Sequence, residues 1–203
     1  MNERPGLVRA SEVTGLPVVT IDGGEDAAEI KDVIYDATRH DLVGFTLNKR
    51  GWFRGRMRAV LDADQVVAVG PHAVMVPGED CLTERGDSAA ALESPKAGID
   101  VIGNEVVSSN GKVIGTVVDV IIETGERPSA VGYEVDGDNG PIFMPSSAQM
   151  SLSNDNLVVP AEAEEFAHSD LAGFGASVRS FRELLGRGQG GDPARNERGR
   201  KAP

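Results

Sequence analysis

The chain carries the same series of short motifs twice, and this duplication limits the possible architectures more than any single residue does. The first copy spans residues 13–77 and the second spans residues 101–160. Matched residues are 87 or 88 positions apart through most of the copy and 83 apart at the closing prolines, a drift that surface turns tolerate. The clearest matches are Gly15/Gly103, Asp32/Asp119, Gly44/Gly132 and Pro77/Pro160. We therefore expect two similar domains of one fold.

Short apolar segments bounded by glycine-rich turns predict β-strands in both copies. Residues 16–21 and 105–108 run into Asp22-Gly23 and Asn110-Gly111, and such dipeptides mark tight hairpin turns. Several short strands at close spacing indicate a small barrel rather than a helix-backed sheet. The predicted fold class is all-β, with two small β-barrels in tandem, a short C-terminal amphipathic helix and a disordered tail.

The same sequence pattern predicts a division of the chain into five parts. They are a first barrel at 7–77, a linker at 78–97, a second barrel at 98–160, a C-terminal helical segment at 161–186 and a disordered tail at 187–203. The linker is polar, and the tail is rich in Gly and Arg and lacks large apolar residues, which is typical of disorder.

An apolar stripe predicts the C-terminal helix. Its residues recur at spacings of three and four and are Leu171, Phe174, Val178, Phe181 and Leu185. Ser169 or Asp170 is the expected N-cap and Gly186 the expected stop. Because Gly173 and Gly175 weaken the first half, the firm part is predicted at 176–185. The stripe either docks on a barrel or forms a dimerisation or partner-binding face.

Charge and composition restrict the function classes. The net charge is −12, of which residues 7–77 contribute −2 and residues 98–160 contribute −7, so the chain is a poor general binder of nucleic acid. One cysteine excludes an internal disulfide and a cysteine-based metal cage. The strongest apolar run, residues 117–122, is interrupted by Asp119 and is too short to span a bilayer. We expect a cytoplasmic protein.

The common catalytic and metal-binding patterns are missing from the sequence. His40, His72 and His168 lie in separate segments without a metal-ligand partner at the usual spacing, and His40 and His72 are expected in loops. There is no G-x-S-x-G element and no phosphate-binding glycine loop. Cys81 follows Glu79 and Asp80, whose carboxylates disfavour a reactive thiolate. The sequence thus predicts no metal, no cofactor and no enzymatic activity.

Residues shared by the two copies are expected to serve the shared fold. Asp32 and Asp119 each interrupt an apolar strand, and Gly15 and Gly103 each precede the first strand of their copy. A paired ligand or acid is one interpretation of the aspartates. The favoured interpretation is structural, with each carboxylate accepting backbone N–H bonds at a bulge or turn.

The two copies differ most in their central hairpin. Residues 48–58 carry five positive charges and the sole tryptophan, whereas residues 134–143 carry three carboxylates and no base. Arg54, Arg56 and Arg58 alternate, which on a regular strand places them on one side. Arginine beside tryptophan is typical of binding hot spots. The predicted partner-binding residues are Lys49, Arg50, Trp52, Phe53, Arg54, Arg56 and Arg58.

Three hypotheses remain for this hairpin. It is a solvated tip in which Trp52 covers a barrel end, or it meets the acidic hairpin of another barrel within the chain or in a second copy, or it binds a separate protein. Self-association through these hairpins or through the C-terminal helix belongs to the second hypothesis.

The two repeats together resemble the PRC-barrel family, named for the photosynthetic reaction centre. The second copy carries the Gly-x-Val-x-Asp-Val element in full at Gly115–Val120, and the first reads Ala28–Val33 with alanine at the glycine position. The resemblance covers about two-thirds of the chain and implies a small, strongly bent β-barrel. The family's roles are mostly interaction roles, in the reaction-centre H subunit and in a ribosome maturation factor that grips a ribosomal protein.

These family roles imply a non-enzymatic interaction module or adaptor. An RNA- or ribosome-associated assembly factor that binds through residues 49–58 is the alternative. A third class, an enzyme or small-molecule carrier, requires a concave polar pocket where the barrels meet.

Overall fold

The fold is described from a computed structural model for residues 6–36, 39–50, 55–84, 101–147, 149–153 and 155–188. Side chains are described for these residues except 55–58, 83–84 and 182–188. The strands are β1 (Leu7–Arg9), β2 (Pro17–Thr20), β3 (Asp26–Asp36), β4 (Asp41–Lys49), β5 (Gly55–Asp62), β6 (Ala68–Val69), β7 (Val74–Val76), β8 (Leu82–Glu84), β9 (Glu105–Ser108), β10 (Val113–Glu123), β11 (Ser129–Gly137), β12 (Gly140–Pro145), β13 (Ser151–Leu152) and β14 (Asn156–Val159). The α-helices are α1 (Ala10–Val13) and α2 (Leu171–Gly188), and 3-10 turns lie at Ala63–Gln65, Glu79–Cys81 and Ala161–Phe166.

The two copies form two sheets with the same strand order, which confirms the predicted all-β tandem architecture. From the same end, the first sheet runs β8-β5-β4-β3-β2-β7-β6 and the second runs β12-β11-β10-β9-β14-β13. The first sheet has β8 as an added edge strand, and the second has β1 paired beside β10. In each sheet three long antiparallel strands are followed by a closing strand that returns parallel to the opening strand, as in the pairs Val18↔Val74 and Val107↔Val158. We call the two units barrel 1 and barrel 2.

Segments at the ends of the first copy pair in ways that strand periodicity does not specify. Strand β1 pairs with β10 of barrel 2, with Leu7 opposite Glu123 and Arg9 opposite Ile121. Strand β8, in the predicted linker, pairs with β5 of barrel 1. A three-residue strand carries too little pattern to indicate which sheet edge it joins. The five predicted divisions of the chain stay a prediction, and residues 85–97 and 189–203 lie outside the described part.

Matched glycines fix the entry to each barrel. Gly15 and Gly103 have φ of 87° and 92°, a region that glycine adopts without steric cost. Their backbone N–H groups donate to the carbonyls of Ile30 and Val117, each at 2.8 Å. The same turn therefore recurs at the start of both copies.

Aliphatic side chains fill a core that continues from one barrel into the other. Buried residues of both barrels belong to one contact cluster, which includes Phe45 and Leu61 of barrel 1 and Met144 and Leu157 of barrel 2. The two barrels thus share apolar contacts.

Helix α2 docks on the outer face of barrel 2, which is one of the two predicted roles for its apolar stripe. Phe174 and Val178 are buried against Ile121, Val131 and Phe143. The Asp170 carboxylate accepts the Gly173 N–H at 2.8 Å and so caps the helix.

The predicted firm part of the helix, 176–185, is too short, because α2 runs from Leu171 to Gly188 and passes the expected stop at Gly186. Gly173 lies within the helix, and only glycine fits there without a shift of its neighbour, because a Cβ would lie 2.6 Å from Nδ1 of His168. Close packing therefore outweighs the low helix propensity of glycine.

Candidate functional site

The basic hairpin, residues 49–58, begins at the end of β4. Lys49 is the last residue of β4 and pairs with Gly55, so residues 50–54 connect the two strands. Lys49 and Arg50 are exposed, and Arg50 Nη1 lies 3.1 Å from Asp26 Oδ2 in an exposed ion pair. Trp52, Phe53 and Arg54 lie outside the described residues.

The strand that follows departs from regular pairing. Arg56 pairs with Asn48 and Val60 pairs with Thr46, so the register shifts between these two pairs. Arg58 lies within the shifted part of β5, where strict alternation is interrupted. The side chains of Arg56 and Arg58 are not among those described, and their predicted one-sided arrangement stays a prediction.

The acidic hairpin, residues 134–143, is shorter and regular. Gly137 pairs with Gly140, so only Asp138 and Asn139 connect β11 to β12. The connection in barrel 1 has five residues, and loops that lengthen in one copy are common sites of function. Asp136 and Asp138 are exposed.

Glu134 of the acidic hairpin is bound to the N-terminal strand. Arg9 Nε donates to Glu134 Oε2 and Nη2 donates to Oε1 at 3.2 Å, a bidentate pair. The Arg9 guanidinium also lies 5.5 Å from the ring centroid of Phe143. The hydrogen bonds with Glu134 raise the already high pKa of Arg9.

The predicted internal contact between the two hairpins finds no support among the described ion pairs. Arg50 pairs with Asp26 of its own barrel, and Glu134 pairs with Arg9. Within the described residues no ion pair joins Lys49 or Arg50 to residues 134–143.

The two matched aspartates lie at β-bulges. Asp32 Oδ1 accepts the N–H of Val33 at 2.9 Å, and Asp119 Oδ1 accepts the N–H of Val120 at 2.8 Å. The pairing register shifts beside each of them. Asp119 is buried and also accepts the hydroxyl of Ser11 from α1, whereas Asp32 is half-buried. Both carboxylates thus bind their own bulge, and Asp119 additionally binds helix α1.

A buried polar cluster, made of Tyr35, His40 and Tyr133, joins the two barrels. The Tyr35 and Tyr133 hydroxyls are 2.6 Å apart, and Tyr133 Oη lies 2.8 Å from His40 Nδ1. His40 Nε2 lies 3.3 Å from the carbonyl oxygen of Met150. His40 lies in the turn between β3 and β4, as expected, but it is only 5 % exposed.

The sequence-based site prediction did not include this cluster, although a signal was present. The chain has only two tyrosines, and each replaces an apolar residue of the other copy: Tyr35 matches Ile122 and Tyr133 matches Phe45. A tyrosine buried in a core needs a partner for its hydroxyl.

Burial sets the ionisation of the cluster. It raises the pKa of both tyrosines well above the usual value, so both hydroxyls stay protonated. Burial lowers the pKa of His40, against smaller raising effects from the Met150 carbonyl and from Asp36. The imidazole is therefore neutral at pH 7.

A polar pocket of about 310 Å³ lies where the barrels meet. Both barrels contribute to its lining, which consists of Arg39, His40, Asp41, Ser129, Ala130, Ser146 and Ser147. The Asp41 carboxylate accepts the Ala130 N–H at 3.2 Å and so links the barrels at the edge of this pocket. A polar concave junction is the feature that the carrier hypothesis requires.

The remaining candidate groups have local partners or lie apart. His168 bonds to Ser177 through Nε2, His72 is exposed, and Cys81 is buried. In the described part of the chain, no group of three or more His, Cys, Asp or Glu side chains is arranged to hold a metal ion.

Together, the strand order and the paired sheets define a tandem small-barrel protein. The family model of the PRC-barrel domain matches the chain at residues 5–80 and 97–166, and the chain belongs to this family. Domains of the family are typically non-enzymatic and act as interaction modules. No curated protein matches the chain. Among the helices described, none is long and apolar enough to cross a membrane.

Proposed function

We propose that the chain is a non-enzymatic adaptor that binds an acidic protein surface through the basic hairpin, residues 49–58. One observation carries this proposal. The same hairpin occurs in both copies, and only the first is lengthened and basic, with five connecting residues against two.

The charge distribution supports the choice of partner. Lys49 and Arg50 are exposed at the hairpin, and the only ion pair of Arg50 among the described residues is an exposed one with Asp26. An exposed pair contributes at most about 1 kcal/mol, so an incoming carboxylate can displace Asp26 at small cost. Basic and aromatic residues together are typical of interface hot spots.

The architecture supports an adaptor rather than a single binding surface. Barrel 2 pairs its strand β10 with β1 and carries α2 on its outer face through Phe174, and its own hairpin is bound to Arg9. The two copies therefore differ in which of their surfaces remain open to a partner.

Charge reversal in the connecting segment tests the proposal. We expect Lys49→Glu, Arg50→Glu and Arg54→Glu together to abolish capture of specific partners from a nuclease-treated cell extract. The matched control reverses three exposed basic residues elsewhere, Lys112, Arg127 and Arg179, and should retain those partners. Circular dichroism checks that both variants fold.

Two results would count against the adaptor proposal. Retention of every specific partner by the hairpin variant would exclude this surface. Capture that disappears after nuclease treatment and weakens steeply with salt would instead support the RNA-associated alternative.

A further inference from the structure

The cluster of Tyr35, His40 and Tyr133 lies where β4 approaches β11. Barrel 1 contributes Tyr35 and His40, and barrel 2 contributes Tyr133. The hydrogen bond from the Ala130 N–H to Asp41 lies at the same junction. We propose that this cluster is a pH-sensitive lock, which holds the two barrels together while His40 is neutral and weakens when His40 is protonated.

The hydrogen-bond directions in the neutral state follow from the acceptors. The Met150 carbonyl can only accept, so His40 Nε2 carries the proton and Nδ1 accepts. Tyr133 then donates to Nδ1 over 2.8 Å, and Tyr35 donates to the Tyr133 oxygen over 2.6 Å. Every hydroxyl proton in the cluster has an acceptor.

Protonation of His40 reverses this chain of donors. Both ring nitrogens now donate, so the Tyr133 oxygen must accept from Nδ1 and its proton must turn toward Tyr35. The Tyr35 proton then has no acceptor within the cluster, because its other neighbour there, Nδ1 at 3.4 Å, has become a donor. A buried unpaired hydroxyl and a buried charge both destabilise the contact.

The charged groups around His40 come from its own barrel. Asp36 on β3 is paired with Arg39 at 2.6 Å, and Asp41 at the start of β4 accepts two backbone N–H groups, from Leu42 and Ala130. From barrel 2, the described residues that face His40 are Tyr133, Met150 and the pocket residues Ser129, Ala130, Ser146 and Ser147, none of which is charged near neutral pH. The Met150 carbonyl and Asp36 stabilise a cation and oppose the lock's opening, but burial of the imidazole outweighs them.

The direction of the pH effect follows from linkage. The pKa of His40 in the folded protein lies below its ordinary value of 6.5, so the open or unfolded state binds the proton more tightly. The contribution of the lock is complete above about pH 6.5 and is lost as the pH falls from there through the folded-state pKa. The junction pocket, which His40 lines, lets the proton reach the ring.

Amide exchange and histidine titration by NMR on the full chain test the proposal. We expect His40 to titrate below 6.5, and the Ala130 amide to lose up to about tenfold in protection per pH unit between about pH 6.5 and the pKa of His40. The Gly103 amide, bonded to Val117 within barrel 2, should keep its protection.

Two variants separate the lock from other pH effects. His40→Asn removes the titrating group while suiting the left-handed backbone at φ 53°, and should make Ala130 protection independent of pH. His72→Asn changes an exposed histidine and should leave the pH dependence as in the native chain.

Three results would overturn the proposal: a His40 pKa at or above 6.5, Ala130 protection that does not change with pH, or unchanged pH dependence in His40→Asn. If His40→Asn does not fold, the first two measurements, made on the native chain, still test the proposal.

Discussion

At the residue scale, matched residues of the two copies have diverged in their surroundings. Asp32 and Asp119 both accept the N–H of the next residue at a bulge. Only Asp119 is buried and bound to Ser11, which lies in α1 just before the first copy. The local bond is therefore present in both copies, and one of the two positions adds a contact with the segment that precedes the first copy.

This difference predicts unequal effects of the same substitution. Asp119→Ala should lower the free energy of unfolding by about 2–3 kcal/mol, because it removes the acceptor of three hydrogen bonds, those from the Val120 N–H and from the N–H and hydroxyl of Ser11. Asp32→Ala removes only the acceptor of the Val33 N–H and should cost about 1 kcal/mol. Urea denaturation of both variants measures the two values. Equal losses would show that the Ser11 contact contributes nothing.

Comparison of the two copies was sufficient to predict a structural role for Asp32 and Asp119, because both copies carry this aspartate. It did not identify Tyr35 and Tyr133 as a cluster. The two tyrosines occupy different positions in the repeat, and their hydroxyls meet only because β4 of barrel 1 lies against β11 of barrel 2. Such a contact depends on how the barrels dock, which no short motif encodes.

At the element scale, close packing decides where α2 begins and what it covers. Its stripe of apolar residues at spacings of three and four was sufficient to predict a helix. The helix begins five residues before the predicted firm part and includes Gly173 and Gly175, which lie close to His168 and Leu7. The pairing of β1 with β10 could not be predicted from the sequence, because three residues do not specify a sheet edge.

Removal of a large apolar side chain from the stripe on α2 should destabilise barrel 2. Phe174 is fully buried against Phe143, with ring centroids 6.2 Å apart. Phe174→Ala should therefore lower the free energy of unfolding by about 3–5 kcal/mol.

Arg179→Ala, at an exposed position of the same helix, is the control and should change stability by less than about 0.5 kcal/mol. Chemical denaturation measures both. If Phe174→Ala lowered the free energy of unfolding by less than about 1 kcal/mol, that result would contradict the docking of α2 on barrel 2.

At the scale of the whole molecule, two barrels of one fold are joined by apolar contacts, by β1 and by the polar junction cluster. The duplication and the family resemblance were sufficient to predict the tandem PRC-barrel fold, because two ordered sets of turns and valine pairs leave few alternatives. The junction follows from the tertiary packing of residues far apart in the chain.

The central claim is that the copies differ in function at the basic hairpin. A hairpin exchange tests this claim most directly. Residues 49–55 are replaced by Gly-Asp-Asn-Gly, the sequence of the turn that connects β11 to β12. The account predicts an unchanged thermal midpoint, because the same turn closes the matched hairpin of barrel 2, together with loss of the protein partners that the native chain captures. A folded exchange variant that still captures the same partners would contradict it.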